Sequence, residues 1–491
     1  MKTLSLKQMR IWFIYGFRFL QMPFGLLDKL EGEQPNATGE GLVGFSALKR
    51  NSGEGFQPYV ARQSQVFTIS TTTAMPASIL DLKDPNQGSQ FGIHGMMVNC
   101  SREISICANG LGTYSLSLTL GDCGDDPEHE KGDVERSPVI MTLAQCLEMM
   151  NVGEEVMPSA DDAKRYALAF RNGSGISPGS LPLPAWAARD IKAFHAWLSD
   201  RARAITPGQD PVWPYAKKQG HTEMPPLFVV DTYHLCKDTW QFPHQTPYVY
   251  AELEIWSVAD YMELTREDHD DCKKDHKENC LQGVLAHLLV RVGSTGLDPW
   301  ELDPTYLRHH AASDVGLFRN YYPLRYLFIN THFRSTLAVY PNLSDERTRP
   351  VSVPIEKYFS PAIRDTLQIL RARWYFLVSE HAHVDSLIER LRNAWRDTAQ
   401  PTEEFVKVQQ QLLNVRFHVA QLMAHPVVYR RAASSLNDIY MYLTSTFGNE
   451  TMQEMLVQKL RQTLDIYEEC LRIRLTQRYG VVSYTDNPGS L

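Results

Sequence analysis

The apolar residues between Ser360 and Trp395 recur in alternating steps of four and three along the chain. An average spacing of 3.5 residues over this length predicts a long helix that packs one narrow face against other helices. Ser360 suits the capping position and Pro361 suits the first helical position, and the pattern ends near Thr398. The ten positions are Ile363, Leu367, Leu370, Trp374, Leu377, His381, Val384, Ile388, Leu391 and Trp395.

His381 is the one residue in this series that is not apolar. The ring is expected to be packed in the helical face, with its nitrogen atoms bonded to a neighbouring helix. The alternative is a proton or metal switch at a helix interface, because histidine titrates near neutral pH. A ring that is buried in its neutral form should have a pKa below the usual value of about 6.5.

Two further helices follow with the same rhythm of apolar positions, over 403–447 and 450–479. The phase continues across Pro426, which favours one kinked helix over two unrelated ones. Short connections make neighbouring helices antiparallel. Residues 351–480 are therefore predicted to form a long antiparallel three-helix bundle that resembles a coiled coil.

Earlier in the chain the apolar residues alternate with polar ones, which is typical of strands with one buried face. The clearest strands are 65–70, 96–100, 103–107 and 113–120, with a hairpin signal at Asn109-Gly110. In the middle of the chain strands are predicted at 227–230, 248–256, 326–329 and 335–340. The fold class is therefore expected to be α+β, with a β-rich N-terminal region, a mixed α/β middle domain and the C-terminal bundle.

The domain boundaries follow from the glycine- and proline-rich segments. The predicted order is a β-rich domain (1–172), a linker with one helix (173–226), a mixed α/β domain (227–350), the helical bundle (351–480) and a tail (481–491). The glycine-rich run that begins at Asn172 lacks the Gly-Lys-Ser/Thr ending of a phosphate-binding loop, which favours a linker.

Residues 11–27 are strongly apolar and aromatic, interrupted by Arg18 and Pro23. The stretch is short for a bilayer span and lacks a clear cleavage site. It is expected to be a buried or surface helix. The alternatives are a peripheral membrane anchor and a signal sequence.

Composition is that of an ordinary globular protein: the chain of 491 residues has a formal net charge of −8 at pH 7. This charge gives no strong nucleic-acid signal. The eight cysteines are irregularly spaced, which favours a reduced, cytoplasmic protein over a disulfide framework.

The strongest candidate for site chemistry is a metal cluster at residues 265–280. His269, Cys272, His276 and Cys280 are the residue types that bind zinc, and four ligands suit a tetrahedral site. Their spacing matches no standard zinc finger, and the interleaved charged residues also fit a solvated loop. Zinc or another divalent cation is the candidate cofactor, and no other cofactor is indicated.

Two other polar segments could each bind a ligand or be solvated surface. The acidic loop 122–133 could bind a hard cation but lacks EF-hand spacing, and the Arg308-His309-His310 cluster could contact phosphate. A solvated surface is the simpler interpretation of both. No catalytic residues are identified by motif.

The order of predicted elements from Leu227 to Tyr479 resembles the cytoplasmic part of CorA-like divalent-cation channels. That family has a mixed α/β domain, two long antiparallel helices and a stalk helix that leads into the membrane. The Gly-Met-Asn pore signature of the family is missing, and no apolar span follows Tyr479. The resemblance therefore implies a membrane-less relative that keeps the assembling, ligand-sensing half.

The favoured function is a soluble, non-enzymatic scaffold or sensor that forms homo-oligomers through residues 360–480 and binds other proteins. A bacterial multi-component system, such as one in phage defence, would suit such a protein. The first alternative is a metal-dependent hydrolase or nuclease that uses residues 265–280. The second is a membrane-peripheral protein that is anchored by residues 11–27.

Overall fold

The structure is a computed structural model of the whole chain, and it describes roughly half of the residues. The described residues are 3–19, 25–35, 42, 44–50, 58–59, 66–76, 97–107, 110–121, 138–142, 146, 150, 190–191, 193–198, 200–201, 248–265, 328–332, 335–342, 355–396, 402–424, 428–429, 441–445 and 447–483.

A nine-stranded sheet, built from both the N-terminal and the middle parts of the chain, organises the described fold. Eight strands follow the order β2-β4-β5-β6-β1-β8-β10-β9, and β7 pairs with the N-terminal end of β1. The strands are β1 (Thr3–Arg18), β2 (Lys49–Arg50), β4 (Val66–Pro76), β5 (Met97–Cys107), β6 (Leu111–Gly121), β7 (Val139–Thr142), β8 (Tyr248–Ile255), β9 (Phe328–His332) and β10 (Ser335–Pro341). A separate short pair joins β3 (Pro58–Tyr59) to β11 (Val428–Tyr429).

Strand β1 lies in the middle of this sheet, antiparallel to β6 on one side and to β8 on the other. Every residue from Ile11 to Phe17 is buried, because both faces of the strand are covered. The expectation of a helix over residues 11–27 is therefore wrong for residues 11–18. A continuous apolar run without alternation is also typical of a strand that is buried on two faces.

The hairpin signal at Asn109-Gly110 is confirmed. Strands β5 and β6 pair antiparallel on either side of it, from Ile106 opposite Gly112 to Val98 opposite Leu120. Gly110 has a φ of 84°, a backbone conformation that residues with a Cβ rarely adopt. The two strands expected at 96–100 and 103–107 are one continuous strand, β5.

The predicted fold class is wrong in its separation of a β-rich N-terminal region from a mixed middle domain. Strand β8 pairs antiparallel with β1 and parallel with β10, so the middle segment completes the sheet of the N-terminal segment. The individual strands at 248–256 and 335–340 are nevertheless found close to their expected positions, as β8 and β10. The boundaries near residues 172 and 226 fall outside the described residues.

One face of the sheet carries the main hydrophobic core. Alternate residues of β1, β5, β6 and β8 pack there against the short helix α1 (Leu26–Leu30) and the helical residues between 190 and 201. Asp190, at the start of these helical residues, is fully buried and accepts hydrogen bonds from Tyr114 Oη (2.8 Å) and Arg102 Nη1 (2.9 Å). These bonds hold the helical residues against β5 and β6. Another helix, α2 (Val258–Thr265), follows β8 directly.

The opposite face of the sheet is covered by the first of three long helices. These are α3 (Ile355–Arg396), α4 (Thr402–Ala424) and α5 (Asn449–Ser483), which we call the helical layer. Contacts from His381 to Met452 and from Ala394 to Arg474 show that α3 and α5 run parallel. Contacts from Phe405 to Arg474 and Gln409 to Tyr467 show that α4 is antiparallel to α5.

The predicted coiled-coil-like bundle over 351–480 is also wrong, because α3 does not keep one set of partners along its length. Its first apolar positions, Ile363, Leu367 and Leu370, pack on the sheet with residues such as Trp12 and Tyr250. Its later positions pack in a second core with α4 and α5. A regular apolar spacing predicts that a helix has a buried face, and it does not distinguish a sheet from other helices as the surface that covers it.

The continuous kinked helix predicted over 403–447 is wrong as well. Helix α4 ends at Ala424, and Val428–Tyr429 are extended and paired with β3. Residues 441–445 are helical again. A proline interrupts the hydrogen bonding of a helix interior, and here Pro426 stands between the helix and the strand.

Within the described residues, no helix is long and apolar enough to cross a membrane.

Candidate functional site

The most unusual polar feature of the described structure is Glu252, a carboxyl group between the sheet and helix α3. Strand β8 is apolar and aromatic for most of its length, and the Glu252 side chain is 1% exposed. A carboxyl group in such a position is costly to bury unless hydrogen bonds and opposite charges compensate it. The residues that surround it form a candidate site.

Three hydroxyl groups and one guanidinium surround this carboxyl group. Tyr250 Oη donates to Glu252 Oε1 at 2.5 Å, and Ser360 Oγ, at the helix α3 side, donates to the same oxygen. Tyr340 Oη, from β10, donates to Oε2 at 3.4 Å. Arg10 Nη1, from β1, lies 3.7 Å from Oε2. We call these five residues the Glu252 cluster.

Burial raises the pKa of Glu252, and this is opposed by Arg10, the hydrogen bonds from Ser360 and Tyr250, and Arg364. A carboxyl group whose pKa is raised on folding binds its proton more tightly in the folded state. Its contribution to stability therefore grows as the pH falls from the raised pKa towards the unfolded value of about 4.3. Perturbed carboxyl groups of this kind are enriched at functional sites.

A second polar contact fastens α3 to the neighbouring strands. Gln368 Nε2 donates to Glu103 Oε1 at 2.7 Å and to Ser115 Oγ at 3.2 Å, and Ser105 Oγ donates to Gln368 Oε1 at 3.4 Å. One turn before it, Arg364 and Asp365 form an ion pair at 3.0 Å and are about 28% and 29% exposed. These two charged residues connect the buried interface to the surface.

The next turn of α3 carries a cation among aromatic rings. The Arg371 guanidinium carbon lies 4.3 Å from the ring centre of Trp374, 4.5 Å from that of Tyr375 and 5.7 Å from that of Tyr248. Arg371 Nη2 also donates to Tyr375 Oη at 3.1 Å. The Tyr375 ring lies directly over Gly16 of β1, where a Cβ would be 1.9 Å from Tyr375 Cδ2.

Together these contacts fix the position of α3 on the sheet. Because Glu252 is 1% exposed, it has no surface for a ligand in this arrangement. Its carboxyl group joins three strands, β1, β8 and β10, to one helix. The cluster therefore positions the helical layer on the sheet. The Glu252 carboxyl group carries either a proton or a negative charge at this interface.

The sequence-predicted metal ligands His269, Cys272, His276 and Cys280 lie outside the described residues, as do the acidic loop 122–133 and residues 308–310. In the part of the chain that the structure describes, no group of three or more histidine, cysteine, aspartate or glutamate side chains could hold a metal ion.

Described cysteines are free thiols. Burial raises the pKa of Cys100 to about 11, and that of Cys107 and Cys146 to about 12. Because the thiolate is the reactive form, these three buried thiols are not activated nucleophiles.

The expected packing of His381 is confirmed. The ring is 7% exposed, and its Nε2 lies 3.0 Å from the Met452 carbonyl oxygen of α5, so the neutral ring donates to that oxygen. Burial lowers the pKa of His381; Lys459 also lowers it, while the Met452 hydrogen bond and Asp385 oppose the shift.

This burial makes the stability of the helical layer depend on pH. Below about pH 6.5 the unfolded chain binds a proton at His381 that the folded chain does not bind, so stability is lost as the pH falls. We expect His381→Leu to raise the melting temperature more at pH 5.5 than at pH 8. Thermal unfolding of the wild-type and variant proteins at the two pH values measures this. An equal change at the two pH values would contradict a buried neutral ring.

Sequence reasoning did not identify the Glu252 cluster. The strand over 248–256 was predicted, and the carboxylates of Glu252 and Glu254 within the otherwise apolar run Tyr248 to Trp256 were the available signal. A charged residue in such a run indicates a buried partner. The partners Arg10, Tyr340 and Ser360 are distant in sequence, so only the folded topology brings them together.

No family model, no curated protein and no solved structure matches this chain. The resemblance to CorA-like channels therefore stays a prediction from the order of elements.

Proposed function

We propose that this protein is a non-enzymatic scaffold that self-associates through its helical layer. The observation that carries the proposal is the distribution of exposed apolar side chains. Nine large apolar residues are exposed among those described, and eight of them are helical. They are Trp395, Val406, Leu413, Phe417, Met441, Met455, Ile466 and Leu475, whereas Ile140 lies in β7.

Single exposed apolar residues are common on protein surfaces, but the concentration of seven of these residues on α3, α4 and α5 favours an interaction surface on the helical layer. Burial of apolar area from water stabilises a contact by about 25 cal/mol per Å². Helix α3 is also joined to the sheet by the buried hydrogen bonds of the Glu252 cluster and of Gln368. A rigid surface loses little conformational freedom when it binds.

We expect the purified full-length chain to have a solution mass above the 56.0 kDa of one copy, and the mass to rise with concentration. Light scattering after size-exclusion chromatography, together with sedimentation velocity, measures it over low to tens of micromolar protein. A strict monomer at tens of micromolar would reject the proposal. The same mass at high salt would indicate an apolar contact, because salt screens charge pairs and leaves apolar burial intact.

A further inference from the structure

Helix α4 has two apolar faces, and among the described residues only one of them has a covering partner. The covered face consists of Phe405, Val408, Leu412, Val415 and Val419, which pack against α3 and α5. On the opposite side Val406, Gln410, Leu413, Phe417 and Ala420 follow one another in steps of four, three, four and three, and all five are exposed. We call these five residues the outer seam of α4.

The outer seam has the spacing of a helix that pairs with another helix. A helix that covers a protein core normally carries polar residues on its solvent face. Here Val406 is 43% exposed, Leu413 is 38% exposed and Phe417 is 67% exposed, within three turns of the same face. Steps of four and three place side chains on one narrow face, as in the contact face of a coiled coil.

We infer that the outer seam binds the outer seam of a second copy, with the two α4 helices antiparallel about a two-fold axis next to Leu413. This inference rests on the proposed function and names the contact that would carry it. A two-fold axis uses one patch twice, so the patch must be complementary to itself. The α4 sequence meets this condition in one register.

In that register Leu413 lies against the partner's Leu413. Val406 lies beside the partner's Ala420, because both are seven residues from position 413. Gln410 and the partner's Phe417 are three and four residues from it, so they lie within about 1.5 Å of the same height along the helix axis. On either side of the Leu413 pair, a larger side chain thus meets a smaller or more flexible one, which lets two helices approach closely. The pattern leaves no large apolar residue of the outer seam without a counterpart.

The charges flanking the outer seam are compatible with this register. Lys407 and Arg416 are exposed on opposite edges of the seam. The two Lys407 residues would be about 18 Å apart along the helix axis, at 1.5 Å per residue, whereas a parallel pairing in register would place them at the same height. Arg416 would lie opposite the partner's Gln409. At physiological salt, charges about 18 Å apart are largely screened.

The size of the contact limits its strength. Helix α4 has 23 residues and is about 35 Å long, so a single pair of these helices is at the small end of specific protein interfaces. The expected association is therefore concentration-dependent in the micromolar range, rather than permanent.

Site-specific cross-linking of the full-length chain tests the register. Under mild oxidation, Leu413→Cys is expected to form several-fold more disulfide-linked dimer than Met455→Cys, a comparably exposed position on α5, or than the wild-type chain with its native cysteines. Val406→Cys alone should not cross-link, and a mixture of Val406→Cys and Ala420→Cys should. Cross-linking of Val406→Cys to itself would indicate a parallel pair and would overturn the inference, as would equal dimer from Leu413→Cys and Met455→Cys.

A charge substitution separates this inference from the proposed function. Phe417→Glu is expected to reduce the solution mass to that of a monomer, and to lower the melting temperature by no more than the lost association accounts for, since the side chain is 67% exposed. Met455→Glu should keep the wild-type mass. If the wild-type chain self-associates and Phe417→Glu does not change its mass, the outer seam is not the contact, and the scaffold proposal stands. If the wild-type chain is a monomer at tens of micromolar, the outer-seam contact and the scaffold proposal are both rejected.

Discussion

Replacement of Glu252 by alanine is expected to lower the free energy of unfolding by about 3–5 kcal/mol, the cost of removing one partner from a buried charged contact. The buried hydroxyl groups of Tyr250 and Ser360 would lose the carboxylate that accepts from them. Arg10 would lose the carboxylate 3.7 Å away. Chemical denaturation followed by circular dichroism measures the change.

Glu252→Gln is the matched control for this substitution. The amide keeps an oxygen that can accept hydrogen bonds and has nearly the same shape, so a smaller loss is expected. It also removes the titratable group, so the stability gained by Glu252 protonation at acid pH should disappear in this variant. A loss below about 1 kcal/mol for Glu252→Ala would show that the cluster does not hold α3 on the sheet.

The second large effect is expected from Gly16→Ala, because α3 passes so close to β1 that the position has no room for a side chain. A Cβ at Gly16 would lie 1.9 Å from Cδ2 and 2.2 Å from Cγ of Tyr375. That ring is 3% exposed and is held by Arg371, so it cannot move aside freely. Overpacking of this kind costs about 1–3 kcal/mol or more.

A double-mutant cycle isolates the cause of that loss. Tyr375→Ala removes the ring and should be destabilising by itself, since it leaves a cavity between α3 and β1. In that background Gly16→Ala should cost much less than in the wild-type chain, because the added methyl group would occupy part of the vacated volume. Additive losses in the double variant would show that the ring is not what excludes a side chain at Gly16.

Local patterns in the sequence predicted local elements well. Alternation identified most of β6, and Asn109-Gly110 identified the turn between β5 and β6. The buried face of α4 was predicted from Phe405 onwards, and the packed His381 followed from its place in an apolar series. Each of these features depends on residues that are close together in the chain.

The errors concern features that depend on distant residues. The apolar run of β1 has no alternation, so the sequence did not distinguish a strand with two covered faces from a helix. The pairing of Trp12 with Tyr250 and the packing of Leu367 on the sheet join segments that are hundreds of residues apart. The Glu252 cluster depends on the same long-range topology, and for that reason no motif revealed it.

The central position of β1 also has a consequence for how the chain folds during synthesis. β1 is made before its partner β8, which begins at Tyr248, so about 240 residues must be translated before that edge of β1 can pair. At about 5–20 residues per second, this interval is roughly 12–50 s. Unpaired apolar strands bind other chains readily during such an interval. During this interval β6 can already pair with one edge of β1, whereas the edge that β8 later covers is open to pairing with other chains.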